Sequence, residues 1–99
     1  MLWHIVRFDF AGLDDALREE LEDELRALAD LDVVRGLRVA RDVEEPTVTG
    51  LLVALDDDAA LDAYRQHPDH LPLVHRIREL QVPAARLDVR TDDDPSLLA

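Results

Sequence analysis

Two histidines and a tyrosine surround one proline late in the chain, in the segment Tyr64-Arg65-Gln66-His67-Pro68-Asp69-His70. An imidazole with an ordinary pKa of about 6.5 can take up or release a proton at neutral pH. A phenol can donate a hydrogen bond to an oxygen that gains negative charge. Because proline disfavours helix at the preceding residue, we expect a helix through Tyr64 to end at about His67 and a new helix to begin after Asp69. Such a break can place Tyr64 and His70 against one cavity.

The composition disfavours most other catalytic chemistry. The chain has no cysteine and no lysine, and its only serine, Ser96, lies in an acidic segment near the end. Nucleophilic catalysis by a thiolate, a Schiff-base lysine or a buried serine is therefore not expected. Histidine, tyrosine and carboxylates remain, and these groups carry out general acid and base catalysis.

We predict no metal ion and no cofactor. His67 and His70 lie three residues apart across a proline, with no cysteine and no carboxylate at a diagnostic spacing. Haem would need more aromatic side chains than the 4% present here.

The charge balance bears on possible partners. A formal net charge of -12 opposes binding to a phosphate backbone, which requires clustered basic residues. The longest apolar runs are much shorter than a bilayer-spanning segment. We therefore expect no nucleic acid partner, no membrane partner and a cytoplasmic location.

The apolar pattern predicts the element order βαββαβ. Predicted strands cover residues 2–10, 37–41, 48–55 and 84–90, and predicted helices cover 15–29, 59–66 and 71–80. We expect one α+β domain at 1–90 with a ferredoxin-like fold, a four-stranded antiparallel sheet with helices on one face. Residues 91–99 are predicted to form an acidic C-terminal tail.

Alternation along the first strand assigns its two faces. Leu2, His4, Val6, Phe8 and Phe10 fall on the face expected to meet the helices. Trp3, Ile5 and Arg7 fall on the other face, so packing of this face against a second copy would bury them, and we predict a homodimer. In the first helix, Leu17, Leu21, Leu25 and Leu28 form the predicted buried stripe, and the exposed side is predicted to hold Glu19, Glu20, Glu22, Asp23 and Arg26.

Several of these segments together resemble the stress-responsive dimeric α+β barrel (Dabb) family. The resemblance rests on His4-Ile5-Val6-Arg7-Phe8, the Leu-rich acidic helix, Tyr64 with the His67-Pro68-Asp69-His70 motif, and a final strand with Leu87-Asp88-Val89. It implies a ferredoxin-like protomer that pairs into a dimeric barrel, with a ligand pocket between sheet and helices. The family includes a plant polyketide cyclase that closes a poly-β-ketone by aldol condensation.

The resemblance also implies roles for individual residues. Tyr64 and His70 correspond to the catalytic tyrosine and histidine of that cyclase, and His4 corresponds to its strand-opening histidine. Thr49 takes the place of a further pocket histidine on the third strand. Six residues are expected to bind the ligand: His4, Val6, Phe8, Thr49, Leu51 and His67.

Each of these residues also has a structural interpretation. His70 is either a general base or a side chain that braces the start of the last helix. Tyr64 either stabilises an enolate or is a half-buried aromatic whose hydroxyl reaches the surface. His67 is better explained as fixing the turn, and His4 as either satisfied by a neighbour or lining the pocket. His75 is expected to be exposed.

Two functions remain open from the sequence. The first is an enzyme that binds an apolar or aromatic carbonyl compound and catalyses an aldol-type or other proton-transfer step without a cofactor. The second is a non-catalytic, ligand-binding or stress-related dimeric protein in which the same residues only shape the cavity.

Overall fold

A computed structural model describes residues 1–92 of the chain and contains four strands and three α-helices. The strands are β1 (Leu2–Asp9), β2 (Gly36–Arg41), β3 (Val48–Leu55) and β4 (Ala84–Arg90), and the helices are α1 (Asp15–Ala27), α2 (Asp58–Arg65) and α3 (Leu71–Glu79). Every predicted element is present, and the bounds differ by at most two residues. The largest difference is at the end of α1, where the chain tightens into a 3₁₀ turn, Leu28–Asp30.

Short polar side chains begin the first two helices. The Asp14 carboxylate accepts a hydrogen bond from the Leu17 amide at 2.8 Å, and Asp57 accepts one from the Ala60 amide at 2.9 Å. Each bond satisfies an amide that has no partner within its own helix. Asp14 and Asp57 therefore cap the first turns of α1 and α2.

The strands form one antiparallel sheet in the order β2-β3-β1-β4. β1 lies in the centre, where His4 is opposite Val53 of β3 and Asp88 of β4. The predicted ferredoxin-like α+β fold is confirmed. This register decides which β4 side chains face the helices, and it brings Asp88 to the same face as His4.

The core lies between the sheet and the helices. Leu2, His4 and Phe8 are buried on the helix-facing side of β1, as the alternation predicted. Leu21, Leu25 and Leu28 cover them from α1 and its last turn, while Leu17 is only partly buried. Burial of this apolar surface is the main driving force for folding.

The prediction that Glu22 is exposed is wrong. Only 2% of Glu22 is accessible, and Arg18 on the same helix is also buried. Their side chains meet two strands, because the Glu22 carboxylate accepts hydrogen bonds from Thr49 at 2.8 Å and from Arg41 at 2.8 and 3.1 Å. On the exposed side of the same helix, Arg26 pairs with Asp23 at 3.0 Å.

No helix among residues 1–92 covers the opposite face of the sheet. Trp3 and Ile5 of β1, Leu52 of β3 and Leu87 and Val89 of β4 lie on this face, and 57% of Leu87 is accessible. We call these five residues the open sheet face. Its apolar character is as the strand pattern predicted.

The predicted tail begins later than expected. The Thr91 amide donates to the Met1 carbonyl at 2.9 Å, and its hydroxyl accepts a bond from the Trp3 indole at 3.0 Å. The pairing of β4 with β1 therefore extends past Arg90. Residues 93–99, the rest of the predicted tail, lie outside the described residues. Within the described range, no helix is long and apolar enough to cross a membrane.

Candidate active site

The proline break forms as predicted and positions the histidines. α2 ends at Arg65, and α3 begins at Leu71 with Pro72 in its first turn, where a missing amide hydrogen costs little. Between them, the His70 amide donates to the His67 carbonyl at 2.9 Å. The His67 ring accepts a bond from the Asp69 amide through Nδ1 at 3.1 Å. His67 thus stabilises the turn, in agreement with its structural interpretation, and it does not line the cavity described below.

His70 braces the two helices and is held in one tautomer. Its Nδ1 lies 3.1 Å from the backbone carbonyl oxygen of Arg65. Because a carbonyl oxygen only accepts hydrogen bonds, Nδ1 carries the proton of the neutral ring. Nε2 then holds the free lone pair, which is the arrangement that a general base requires.

The surroundings of His70 favour its neutral form. Burial lowers the pKa of His70, the hydrogen bond to the Arg65 carbonyl raises it in part, and the nearby His4 and His67 lower it further. The net effect is a pKa below the ordinary value of 6.5. The ring is therefore unprotonated and able to accept a proton at neutral pH.

His4 forms a hydrogen-bonded pair with a carboxylate. Its Nδ1 lies 2.5 Å from Oδ1 of Asp88, whose other oxygen accepts a bond from Arg65 at 2.9 Å. Since a carboxylate accepts the bond, Nδ1 of His4 is also protonated. His4 is thus both satisfied by a neighbour and placed on the cavity wall, so the two interpretations of this residue hold together.

Tyr64 lies between the two imidazoles. Its ring centroid is 5.4 Å from that of His4 and 4.4 Å from that of His70. The interpretation of a hydroxyl that reaches the surface is wrong, because the whole side chain is buried. The hydroxyl has no hydrogen-bond partner among the described residues, and burial raises the pKa of Tyr64, so the phenol keeps its proton.

A cavity of about 470 Å³ opens between the sheet and α3. Its floor is apolar and includes Val6, Phe8 and Leu51, three of the residues predicted to bind ligand. His4 and His70 complete its inner wall, while Arg65, Arg78 and Arg86 line it elsewhere. His75 is exposed, as predicted, and also lines this cavity. Tyr64 contacts both histidines but does not itself line the cavity.

Thr49 lies elsewhere. Its hydroxyl donates to Glu22 at 2.8 Å and accepts a bond from Arg18 at 3.0 Å, so the structure does not bring it to the cavity. Burial raises the pKa of Glu22, but the hydrogen bonds from Arg41 and Thr49 and the charges of Arg41 and Arg18 lower it more. Thr49, which takes the place of the expected pocket histidine, is therefore part of a buried ion-pair network.

Two residues of the site were missed as functional candidates. Asp88 orients His4, and Arg65 contributes both the carbonyl that holds His70 and the guanidinium that holds Asp88. Asp88 could have been identified as an aspartate on the helix-facing side of a strand. To recognise this side, one must know how β4 pairs with β1. Within residues 1–92, no three His, Asp or Glu side chains lie close enough together to hold a metal ion.

Solved structures share this architecture at low sequence identity. A Dabb family protein with a ferredoxin-like fold from Mesorhizobium loti is 23% identical, with a TM-score of 0.72 over 91% of this chain and 95% of that one. A dimeric ferredoxin-like protein of unknown function from Thermobifida fusca is 18% identical, with a TM-score of 0.78 over 91% and 90%. SnoaB, a cofactor-independent oxygenase from Streptomyces nogalater, is 16% identical, with a TM-score of 0.77 over 94% of each chain. These similarities show the fold.

Sequence comparison identifies the family. No curated protein matches the sequence significantly. The profile of the stress responsive A/B barrel domain matches residues 2–89, which includes all four strands up to Val89 and all three helices. The chain therefore belongs to the stress responsive A/B barrel domain (Dabb) family.

Proposed function

We propose that this protein binds a small apolar or aromatic carbonyl compound in the cavity and removes a proton from the carbon beside the carbonyl group. The observation that carries the proposal is the state of His70 on the cavity wall. Its Nδ1 proton is committed to the Arg65 carbonyl, its Nε2 is free, and its pKa is lowered. This combination suits a base that works at neutral pH.

The cavity wall supports a ligand of this class. Val6, Phe8 and Leu51 provide an apolar floor, with Leu73 and Ile77 from α3 also lining the cavity. Apolar cavities with a few converging polar groups are the usual form of small-molecule sites. A flat, apolar or aromatic compound would bury its surface on this floor and present its carbonyl group to the histidines.

The proposed reaction is an aldol-type ring closure, similar to that of a polyketide cyclase. His70 would take a proton from the carbon between or beside carbonyl groups, and the resulting enolate carbon would attack a second carbonyl of the same molecule. The alkoxide formed from that carbonyl would take the proton back from His70, which returns the base to its neutral state. Tyr64 is the proposed donor to the developing oxyanion, since its hydroxyl is protonated and has no partner among the described residues. Because Tyr64 contacts both histidines but does not line the cavity, this role requires a rearrangement that exposes its hydroxyl to the bound ligand. No covalent bond to the protein is required.

The structural neighbours add limited support. SnoaB is a cofactor-independent oxygenase with the same fold, so this fold accommodates a reaction that needs no cofactor. Its low identity carries no reaction or substrate to this chain. Cofactor-free proton abstraction at His70 therefore rests on the site geometry.

We also propose that the protein is a homodimer formed through the open sheet face. Two neighbours of the same fold are described as dimeric. The face presents Trp3, Ile5 and Leu87 without a covering element in the described structure. Apolar patches of this kind mark interaction sites. A cytoplasmic location stays a prediction that cell fractionation would test.

Hydrogen exchange at a carbon acid tests the catalytic proposal without knowledge of the natural substrate. The probe is phenylacetone in D₂O, whose protons beside the carbonyl group are replaced by deuterium when a base removes them. We expect the wild-type protein to accelerate this exchange and His70→Gln to lower the rate roughly a hundredfold or more. The rate should rise with pH through the lowered pKa of His70, below 6.5, and then level off.

His75→Gln is the matched control, because His75 lines the same cavity but is exposed. This variant should retain the exchange activity. If no exchange occurs while phenylacetone still shifts the NMR signals of His70, the catalytic proposal is wrong and the binding function is supported. If the ligand shifts no histidine signal, binding in this cavity is refuted as well.

A further inference from the structure

The arginines of the cavity contrast with the acidity of the chain. The protein has 23 acidic and 11 basic residues, yet the residues that line this cavity include three arginines and no Asp or Glu. Asp88 lies close by and accepts a bond from Arg65, with Arg86 3.5 Å away. One carboxylate therefore balances three guanidinium groups, and the cavity is electropositive in an otherwise acidic molecule.

Arg78 is the least satisfied of the three. The structure gives it no hydrogen bond or ion pair with any residue from 1 to 92, whereas Arg65 and Arg86 both reach Asp88. Spacings of three and four residues along α3 place Arg78 on the same helix face as Val74 and His75, and all three line the cavity. Its side chain is exposed and free to meet a ligand.

A second donor in the same wall is unsatisfied. The Nε atom of Arg65 is buried and has no hydrogen-bond partner among the described residues. Buried polar groups are nearly always hydrogen-bonded, so Arg65 has donor capacity that Asp88, its ion-pair partner among residues 1–92, does not use. An anion in the cavity would add to the negative charge that Arg65 meets.

We propose that the ligand carries a carboxylate, which Arg78 binds, while the apolar part of the ligand occupies the floor formed by Val6, Phe8 and Leu51. This inference rests on the proposed function, since it describes the ligand of the same cavity. The guanidinium group presents a planar pair of donors that matches a carboxylate in a bidentate arrangement. The protein thereby selects an acidic carbonyl compound over its neutral ester.

A pair of ligands that differ only in this charge tests the inference. The probes are benzoylpropionate and its methyl ester, measured by isothermal titration calorimetry with wild-type protein, Arg78→Gln and Arg26→Gln. Arg26 is the control because it is half-exposed on α1, pairs with Asp23 and lies outside the cavity. We expect the wild type to bind the acid about tenfold more tightly than the ester, a ratio that corresponds to about 1.4 kcal/mol.

Arg78→Gln should bring the acid to the affinity of the ester and leave the ester unchanged, whereas Arg26→Gln should behave as the wild type. High salt should weaken binding of the acid but not of the ester, because ions screen the exposed charge of Arg78. Equal affinities for acid and ester in the wild type, or a preference that survives in Arg78→Gln, would overturn the carboxylate inference and leave the cavity's binding function standing. Failure of both probes to bind would refute both proposals.

Discussion

Replacement of Tyr64 by phenylalanine should stabilise the protein. The Tyr64 hydroxyl is buried and has no partner among residues 1–92, so folding removes it from water without a replacement hydrogen bond. Phenylalanine removes only this oxygen and keeps the ring contacts with His4 and His70 at 5.4 and 4.4 Å. We therefore expect a gain rather than a loss in the free energy of unfolding.

The size of the gain follows from the desolvation penalty. An unsatisfied buried polar group costs roughly 1–3 kcal/mol, and part of this is recovered in the variant. We expect Tyr64→Phe to raise the free energy of unfolding by about 1 kcal/mol, which corresponds to a rise in Tm of roughly 4–8 °C for a domain of this size. Tyr64→Ala, which also removes the ring, should lower it by roughly 3–5 kcal/mol, in the range of large aromatic truncations.

Urea unfolding followed by circular dichroism measures both variants. Protein concentration must be held constant, since the stability of a dimer depends on it. The slope of the free energy against urea should not change in Tyr64→Phe, because the surface buried on folding is the same. A loss of about 1 kcal/mol or more in Tyr64→Phe would refute the reasoning, because it would show that the hydroxyl has a hydrogen-bond partner in the folded protein.

The same variant separates stability from function. If the Tyr64 hydroxyl donates to a bound carbonyl oxygen, Tyr64→Phe should be more stable without ligand and yet gain less stability when ligand is added. Its exchange rate with phenylacetone should also fall. A variant with unchanged exchange would restrict Tyr64 to packing between the two histidines.

Two further predictions concern the Glu22 network and the open sheet face. Glu22→Gln removes the charge that meets Arg18 and Arg41, and it should lower the free energy of unfolding by roughly 1–3 kcal/mol, since hydrogen bonds to a charged group are weakened and Arg41 is half-exposed. The exposed Glu19→Gln should change it by less than about 0.5 kcal/mol in the same urea experiment. An equal effect of both would contradict the buried network. Leu87→Glu should convert the proposed dimer to a monomer in light scattering, while a glutamate in place of Val43, which is 97% exposed in the β2–β3 loop, should not. A dimer that survives Leu87→Glu would contradict an interface at the open sheet face.

The periodic elements were predictable because their signals are local. The alternation from Leu2 to Phe8 assigned the two faces of β1 correctly. Pro68 limited where α2 ends and α3 begins, as the structure shows. Each of these features depends on residues within a few positions of one another.

The candidate site was predictable in part. Tyr64 and His70 are neighbours as predicted, but only His70 lines the cavity, whose floor includes the predicted Val6, Phe8 and Leu51. Their assignment to ligand binding and catalysis stays a prediction. Thr49 is drawn away from the cavity by hydrogen bonds to Arg18 and Glu22, which come from a helix far from it in sequence.

The sequence by itself determined the fold class, the helix break and the chemical groups available. The alternating strand and the proline act on neighbouring residues, and the absence of cysteine and lysine follows from the composition. Tertiary structure alone decided which partners those groups have. The pairing of β4 with β1 places Asp88 against His4, and the turn between α2 and α3 places the His70 ring against the Arg65 carbonyl. Tautomer, pKa and charge depend on such contacts between distant residues, so the neutral His70 ring with its proton on Nδ1 and the arginine-lined cavity of an acidic protein arise only when the chain is folded.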